Sequence, residues 1–353
     1  MLVHDFLFNP VKMTEEMKPE VFYKYIDICN KHKGEGTPLD TMKKIRKIFY
    51  DTHSSIDEDS LDNVWAQVNP KLWKNPGLAQ FVLDYGGAES DFFFPWLIAV
   101  WNSPSEALEM AYGAGKDLKG EWVAKVPEDD KISYFVHNVP TFAYNRERQL
   151  KVADLVTAIQ KKANFGETSK IVDFGAGRMA WARWHGFRFN TTWQKIYAFD
   201  NDASIDIDEA FASQTATLTM PRWLSIEYKH SDFTKELGNP ELMDSDLVIL
   251  GGVASYIPIG IFSAKIIPAI YRLLKPGGSF FFDLQLDCPQ YEWSVKLFDW
   301  PEIKLMSSSA EAIVTMEAIR KDFWSRGLRM SAEYALDTYG TVTSSVMVTM
   351  TKL

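Results

Sequence analysis

The sequence predicts an α/β protein in two parts: an all-helical domain over residues 1–142, and over 143–353 a mostly parallel sheet wrapped by helices and finished by an antiparallel hairpin. Three observations carry this. Apolar residues recur at helical spacing through the first half, and after Gly166 short β-rich runs alternate with helical stretches. Near the end, RMSAEYALD and TVTSSVMVTM alternate at period two around Tyr339-Gly340.

Along the first half, Val21, Tyr25 and Ile28 share one helix face, and Met42, Ile45, Ile48 and Phe49 another. Leu61, Val64, Trp65 and Val68 form a third. Thr37-Pro38-Leu39-Asp40 is a helix start, with a capping hydroxyl, proline at the first position and acid in the first turn. DFFFPWLIAVW (91–101) is the most apolar stretch and is expected at the centre of this half. Residues 113–140, with their glycines and prolines, read as an irregular connection. A helix from about 143 carries Leu150, Val152, Leu155, Val156 and Ile159, and leads the second half. The strands are KIVDF (170–174), KIYAF (195–199), SIEYK (225–229), DLVIL (246–250) and SFFFD (279–283). Strands separated by helices imply parallel crossovers, hence a Rossmann-like, doubly wound sheet.

At 353 residues, with 46% hydrophobic and 24% charged positions, the composition is that of an ordinary globular protein. A net charge of −9 argues against a nucleic-acid partner, because a phosphate backbone needs a basic footprint. Cys29 and Cys288 are too few for a disulfide framework and too far apart for a metal-ligand pair, so a reducing, cytoplasmic setting and no metal are expected. The N-terminal stretch lacks the basic end and apolar core of a signal peptide. Residues 247–264 run without a charge, but Gly251-Gly252 and Pro258 divide them into strand, loop and helix start rather than a membrane span.

The chemistry centres on IVDFGAGRMAWARW (171–184). Gly175 and Gly177 lie between a strand and a helix, where backbone can approach a ligand. Gly175-x-Gly177-x-x-Ala180 also satisfies the dinucleotide fingerprint, weakly. Asp173, two residues before the first glycine, separates the readings. A pyrophosphate is already anionic and has no use for an acid there, whereas a ligand with a cationic group does. Asp200 closes the second strand, where an acid accepts hydrogen bonds from ribose hydroxyls. Lys275-Pro276-Gly277-Gly278 is expected to turn the chain into the fifth strand.

DFGAG, FDND (199–202), HSDF (230–233), DLVILGG (246–252) and LLKPGGSFFFD (273–283) resemble, in order and spacing, the motifs of class I S-adenosylmethionine-dependent methyltransferases. The resemblance covers roughly 166–353, about half the chain. It implies that Asp173, Gly175 and Gly177 surround the methionine part of S-adenosylmethionine and that Asp200 binds the ribose, with Asn201 beside it or in a solvated turn. It likewise implies that Asp232 and Phe233 hold and cover the adenine, and that Gly251 and Gly252 lie beside the sulfonium. Asp232 also reads, as a second alternative, as a helix cap. On the leading helix, Arg148 could pair with the cofactor carboxylate, with Tyr144 and Asn145 facing the same pocket toward substrate. Met179 stands where many members of the family have glycine.

Trp181, Trp184, His185, Phe187, Phe189 and Trp193 cluster behind the loop, facing either a sulfonium or the sheet. Methyl transfer asks mainly for positioning and, for some nucleophiles, removal of a proton. Tyr256 and His185 are the candidate proton-handling groups, and Ser255 a substrate contact. GGVASYIP after the fourth strand is not the Asn/Asp-Pro-Pro-aromatic motif of enzymes methylating exocyclic amines in nucleic acids, and no Pro-Cys follows it. With the acidic charge, this favours a small-molecule acceptor, with the helical half as a lid. The alternatives are transfer or cyclisation of the aminocarboxypropyl arm, as in nicotianamine synthases, a non-catalytic cofactor-binding regulator, and an NAD oxidoreductase.

Overall fold

The computed structural model describes residues 18–32, 38–111, 115–116, 118–119, 122–123, 130–138, 140–162, 168–185, 193–208, 210, 224–286, 289–299, 309–339 and 342–353. The chain forms two units. One comprises Met1–Ala143 with Cys288–Glu302, the other Tyr144–Asp287 with Ile303–Leu353. The helical unit therefore takes a segment that the sequence places in the second half. The reason is packing: Trp293, Leu297 and Phe298, on the helix Pro289–Phe298, are fully buried in the core around Phe22, Phe81, Trp96 and Phe135. Trp293 stacks on Phe22 with ring centroids 4.3 Å apart. Asn75 Nδ2 and Trp101 Nε1 donate to the carbonyls of Leu297 and Phe298.

The expected helices of this unit form at Pro19–Lys31, Leu39–Thr52 and Glu58–Lys74. Phe93, Phe94, Trp96 and Leu97 are fully buried at its centre. Pro38 stands one position earlier than expected: it occupies the cap, and Leu39 is the first helical residue. Thr37 lies outside the described residues. The stretch expected to be irregular contains a helix, Lys131–Asn138, started by Asp130, whose Oδ1 accepts from the amides of Ile132 and Ser133. Gly115–Lys116 and Trp122–Val123 add a short antiparallel ladder.

The second unit is a seven-stranded sheet: β1 Thr168–Phe174, β2 Trp193–Asp200, β3 Leu224–His230, β4 Ser245–Leu250, β5 Leu274–Gln285, β6 Met330–Tyr339 and β7 Val342–Lys352. The strands lie in the order β3-β2-β1-β4-β5-β7-β6. The first five are parallel, and β7 runs antiparallel to both β5 and β6. This is the Rossmann-like α/β architecture expected, with the terminal hairpin along one edge. Lys275–Gly278 is an excursion within β5 rather than a turn before it, because Leu274 already pairs with Ser245 and pairing resumes at Leu247 with Ser279.

Both faces of the sheet are covered, which explains why its strands are apolar at nearly every position. Val172, Phe174, Val248, Leu250, Phe280 and Phe282 pack beneath helices Ile267–Leu273 and Ser309–Ser325. Ile171, Ile196, Ile249 and Phe281 face Val152 and Val156 of the leading helix, which runs Pro140–Lys162. In this order the chain changes direction between β1 and β4, so the carboxyl ends of those strands open the crevice where such sheets take ligands.

Candidate cofactor site

The turn after β1 is held almost wholly by the end of β2. The amides of Gly175 and Ala176 both donate to the Phe199 carbonyl, at 2.8 and 3.1 Å, and the Gly177 amide donates to Asp200 Oδ2 at 2.8 Å. From β3 the Tyr228 hydroxyl donates to the Gly177 carbonyl at 2.9 Å. Gly175 has φ +73°, and a Cβ there would stand 2.1 Å from Val253 Cγ2, so the turn after β1 lies against the turn after β4. Met179 takes a positive φ of 54°, the backbone shape that glycine favours, and its side chain is fully buried in the sheet-side core.

Two buried acids line this turn. Asp173, at the end of β1, accepts the Trp181 indole N–H on Oδ2 at 2.6 Å. Burial pushes its carboxyl up to about 7; the Asp200 charge adds to the rise, while the indole bond and Arg148 oppose it. Asp200 receives the Asp202 amide on Oδ1 at 2.9 Å besides Gly177 on Oδ2. Burial raises its pKa as well, against the pull of these N–H bonds. Asn201 beside it is exposed.

Asp232 caps the short helix Phe233–Glu236, taking the amide and hydroxyl of Thr234 on Oδ1. These bonds hold its carboxyl below the usual range. The capping reading of this residue is thus met in the structure, with the carboxylate still exposed. Phe233 is half-buried, 5.6 Å from the Phe174 ring.

A second knot of polar groups sits at the ends of β4 and β5. Its hub is Asp283, fully buried, which the sequence reading did not single out. Its Oδ1 accepts the Gly252 amide at 2.6 Å, and its Oδ2 accepts the Tyr144 hydroxyl at 3.1 Å and Arg148 Nη1 at 3.2 Å. Arg148 and Tyr144, expected to face a ligand, are directed onto this internal carboxylate. A helix contributing at positions four apart places both on one face. Gly252 has φ +76°, and a Cβ there would lie 2.8 Å from Arg148 Nη1; Gly251 passes the same side chain at ordinary contact distance. Asn145 is buried on the same helix.

Ser255 is buried, and its hydroxyl accepts the Gln285 amide at 2.7 Å, strapping the β4 turn to β5. Tyr256 follows it, 48% exposed, with its hydroxyl pKa raised by the protein packed around it and by Asp283, against Arg148. His185 ends the helix Ala180–His185, and its side chain lies outside the described residues, as do those of Trp184, Phe187, Phe189 and Trp193. Asp283 and Tyr228 therefore complete the site with Trp181. Of the two that the sequence does not single out, Asp283 alone has a local signal, as the only charge in SFFFD.

Among the described residues no helix is long and apolar enough to cross a membrane, and no group of three or more His, Cys, Asp or Glu is placed to hold a metal ion. No family model matches the chain, and no curated protein matches its sequence. Among solved structures it is similar to a possible exported protein from Bordetella parapertussis, at 12% identity over 89% of this chain and 94% of that one, with a TM-score of 0.49. It is also similar to magnesium protoporphyrin IX methyltransferase from Synechocystis with bound S-adenosylhomocysteine, at 14% identity over 72% and 96%, TM-score 0.45. A third is an N-methyltransferase from Bradyrhizobium japonicum in complex with the same nucleoside, at 12% identity over 59% and 86%, TM-score 0.36.

Proposed function

We propose that this chain is an S-adenosylmethionine-dependent methyltransferase acting on a small molecule. The observation that carries this is how the β1 turn uses its donors. The amides of Gly175, Ala176 and Gly177 are all taken up by Phe199 and Asp200, and the charged side chains at the ends of β1 and β2 are the acids Asp173 and Asp200. A dinucleotide loop offers such amides to a pyrophosphate. Here the donor set is inverted: the turn presents acceptors, which suits ribose hydroxyls and a cationic amino acid arm.

The residues fit the cofactor in that sense. Asp173 would hold the amino group, Asp200 the ribose with Asn201 beside it, Asp232 the adenine amino group and Phe233 the face of its ring. Gly251 and Gly252, fixed through Asp283, would leave room for the sulfonium end. Arg148 reaches the same turn, already paired with Asp283, so its charge orients the glycines rather than standing alone for a carboxylate. S-adenosylmethionine, when bound, supplies the electrophilic methyl group. The chain's own contribution is positioning. Tyr256, whose phenol is protonated at neutral pH as an ordinary tyrosine's is, would serve as a hydrogen-bond donor to an acceptor molecule. Removal of a proton is left to His185 or to the acceptor itself. Asn145 and Ser255 are both buried, so on the substrate side they would act by holding the surrounding backbone in place, as Ser255 does for the β4 turn through Gln285. An acidic chain of net charge −9 favours a small acceptor over a nucleic acid.

The test is product identity. Incubation with S-adenosylmethionine and a fractionated small-molecule extract is expected to yield S-adenosylhomocysteine and a product 14 mass units heavier. Methylthioadenosine instead would show use of the aminocarboxypropyl arm, and binding without turnover would point to a regulator.

A further inference from the structure

Trp181 links the acid of the β1 turn to the helix behind it. Its indole N–H donates to Asp173 Oδ2 at 2.6 Å, and its backbone N–H donates to Gln149 Oε1, on the Pro140–Lys162 helix, at 3.2 Å. The ring is 3% exposed and packs with Tyr144, Val152 and Met179, so its orientation is fixed by the core. Met179, two residues earlier, has the left-handed φ that turns the chain from the glycines into this helix. Asp173 is itself 3% exposed, and Oδ1 receives no hydrogen bond from a described residue. A carboxylate with one oxygen bonded inside the protein and the other left to accept is a directed acceptor.

We infer that Trp181 is a positioning residue: its indole N–H occupies one oxygen of Asp173 and fixes the carboxylate so that Oδ1 is presented to the cationic amino group of the bound nucleoside. This rests on the proposed cofactor. It assigns to Trp181 a role that packing against the sheet would not give, since packing has no use for the indole N–H. The groups facing Asp173 are Trp181 on its own helix, Asp200 at the end of β2, Arg148 on the Pro140–Lys162 helix and Tyr228 on β3. Of these, Trp181 and Arg148 favour the charged form, so loss of the indole bond leaves Asp173 harder to ionise.

Trp181→Phe keeps an aromatic ring, though a smaller one, and removes the N–H. Binding of two probes by calorimetry tests it: S-adenosylhomocysteine, which carries the amino acid arm, and 5′-methylthioadenosine, which shares the adenosine and thioether but lacks the arm. The variant is expected to bind S-adenosylhomocysteine on the order of tenfold more weakly and methylthioadenosine with unchanged affinity. The pH at which S-adenosylhomocysteine affinity is half lost should also move upward. Equal losses for both probes would overturn the inference in favour of simple packing, and no loss for either would show the bond idle. If Trp181→Phe does not fold, Asp173→Asn should show the same selective loss in a side chain of equal size; a loss shared by both probes would again overturn it. Failure of the unaltered protein to bind either probe would overturn the cofactor reading and this inference with it, an outcome distinct from unselective binding.

Discussion

The turns after β1 and β4 meet at the same crevice, each contains two glycines, and each is tied down by a buried aspartate, yet the two are anchored in opposite ways. After β1 the anchor, Asp200, comes from the neighbouring strand's last position and remains at the edge of the cleft, 9% exposed. After β4 the anchor, Asp283, is fully buried, and its charge is met inside the protein by Arg148 and Tyr144. The first turn thus keeps acidic character for a ligand, while the second uses its ion pair to hold glycines in shape. An acid beside a glycine turn can bind or brace, and what decides is whether a cation of the chain is ion-paired with it, as Arg148 is with Asp283.

If that contrast is right, the largest effect should come from the bracing acid. Asp283→Ala leaves Arg148 without its buried partner and the Gly252 amide without an acceptor. A loss of about 4 kcal/mol in unfolding free energy is expected from denaturant titration. A change below about 1 kcal/mol, the range of an exposed pair, would show that water reaches the pair and remove the contrast. Gly175→Ala comes next. The left-handed φ and the 2.1 Å approach to Val253 Cγ2 together should destabilise by about 3 kcal/mol, read in the same titration. Asp200→Ala should be the mildest for stability but should weaken binding of S-adenosylhomocysteine and of methylthioadenosine alike by about 2 kcal/mol, since both carry the ribose. Selective loss of one nucleoside would move Asp200 away from the ribose.

The two turns also differ in how far they can be read from sequence. Asp173, Gly175 and Gly177 fall within five residues, and Asp200 ends the next strand, so local spacing exposes the first turn. The second depends on β4 lying beside β5, which brings Asp283 to an amide 31 residues away. The direction of Arg148 follows from the same pairing, and nothing in AYNRERQLKV distinguishes a partner in the core from one in a ligand. Trp181 is legible as an aromatic near the loop, but its donor role depends on the short helix Ala180–His185 facing the indole back to Asp173. The helix Pro289–Phe298 misled for a simpler reason. Its buried Trp293, Leu297 and Phe298 would satisfy any apolar core, so sequence position alone placed it with the sheet.

The central claim, that the β1 turn is built to hold a cationic arm on an adenosine, is tested most directly by the pH dependence of S-adenosylhomocysteine binding between pH 5.5 and 7.5. In the free protein Asp173 keeps its proton up to about pH 7, because burial favours the neutral acid. The ligand's ammonium favours the carboxylate, so binding below pH 7 must release that proton and is weakened by it. Affinity is expected to rise as the pH climbs through about 7, with proton release seen as a dependence of the binding heat on buffer ionisation, and Asp173→Asn should abolish both. An affinity independent of pH, or binding of NAD in place of S-adenosylhomocysteine, would contradict the claim.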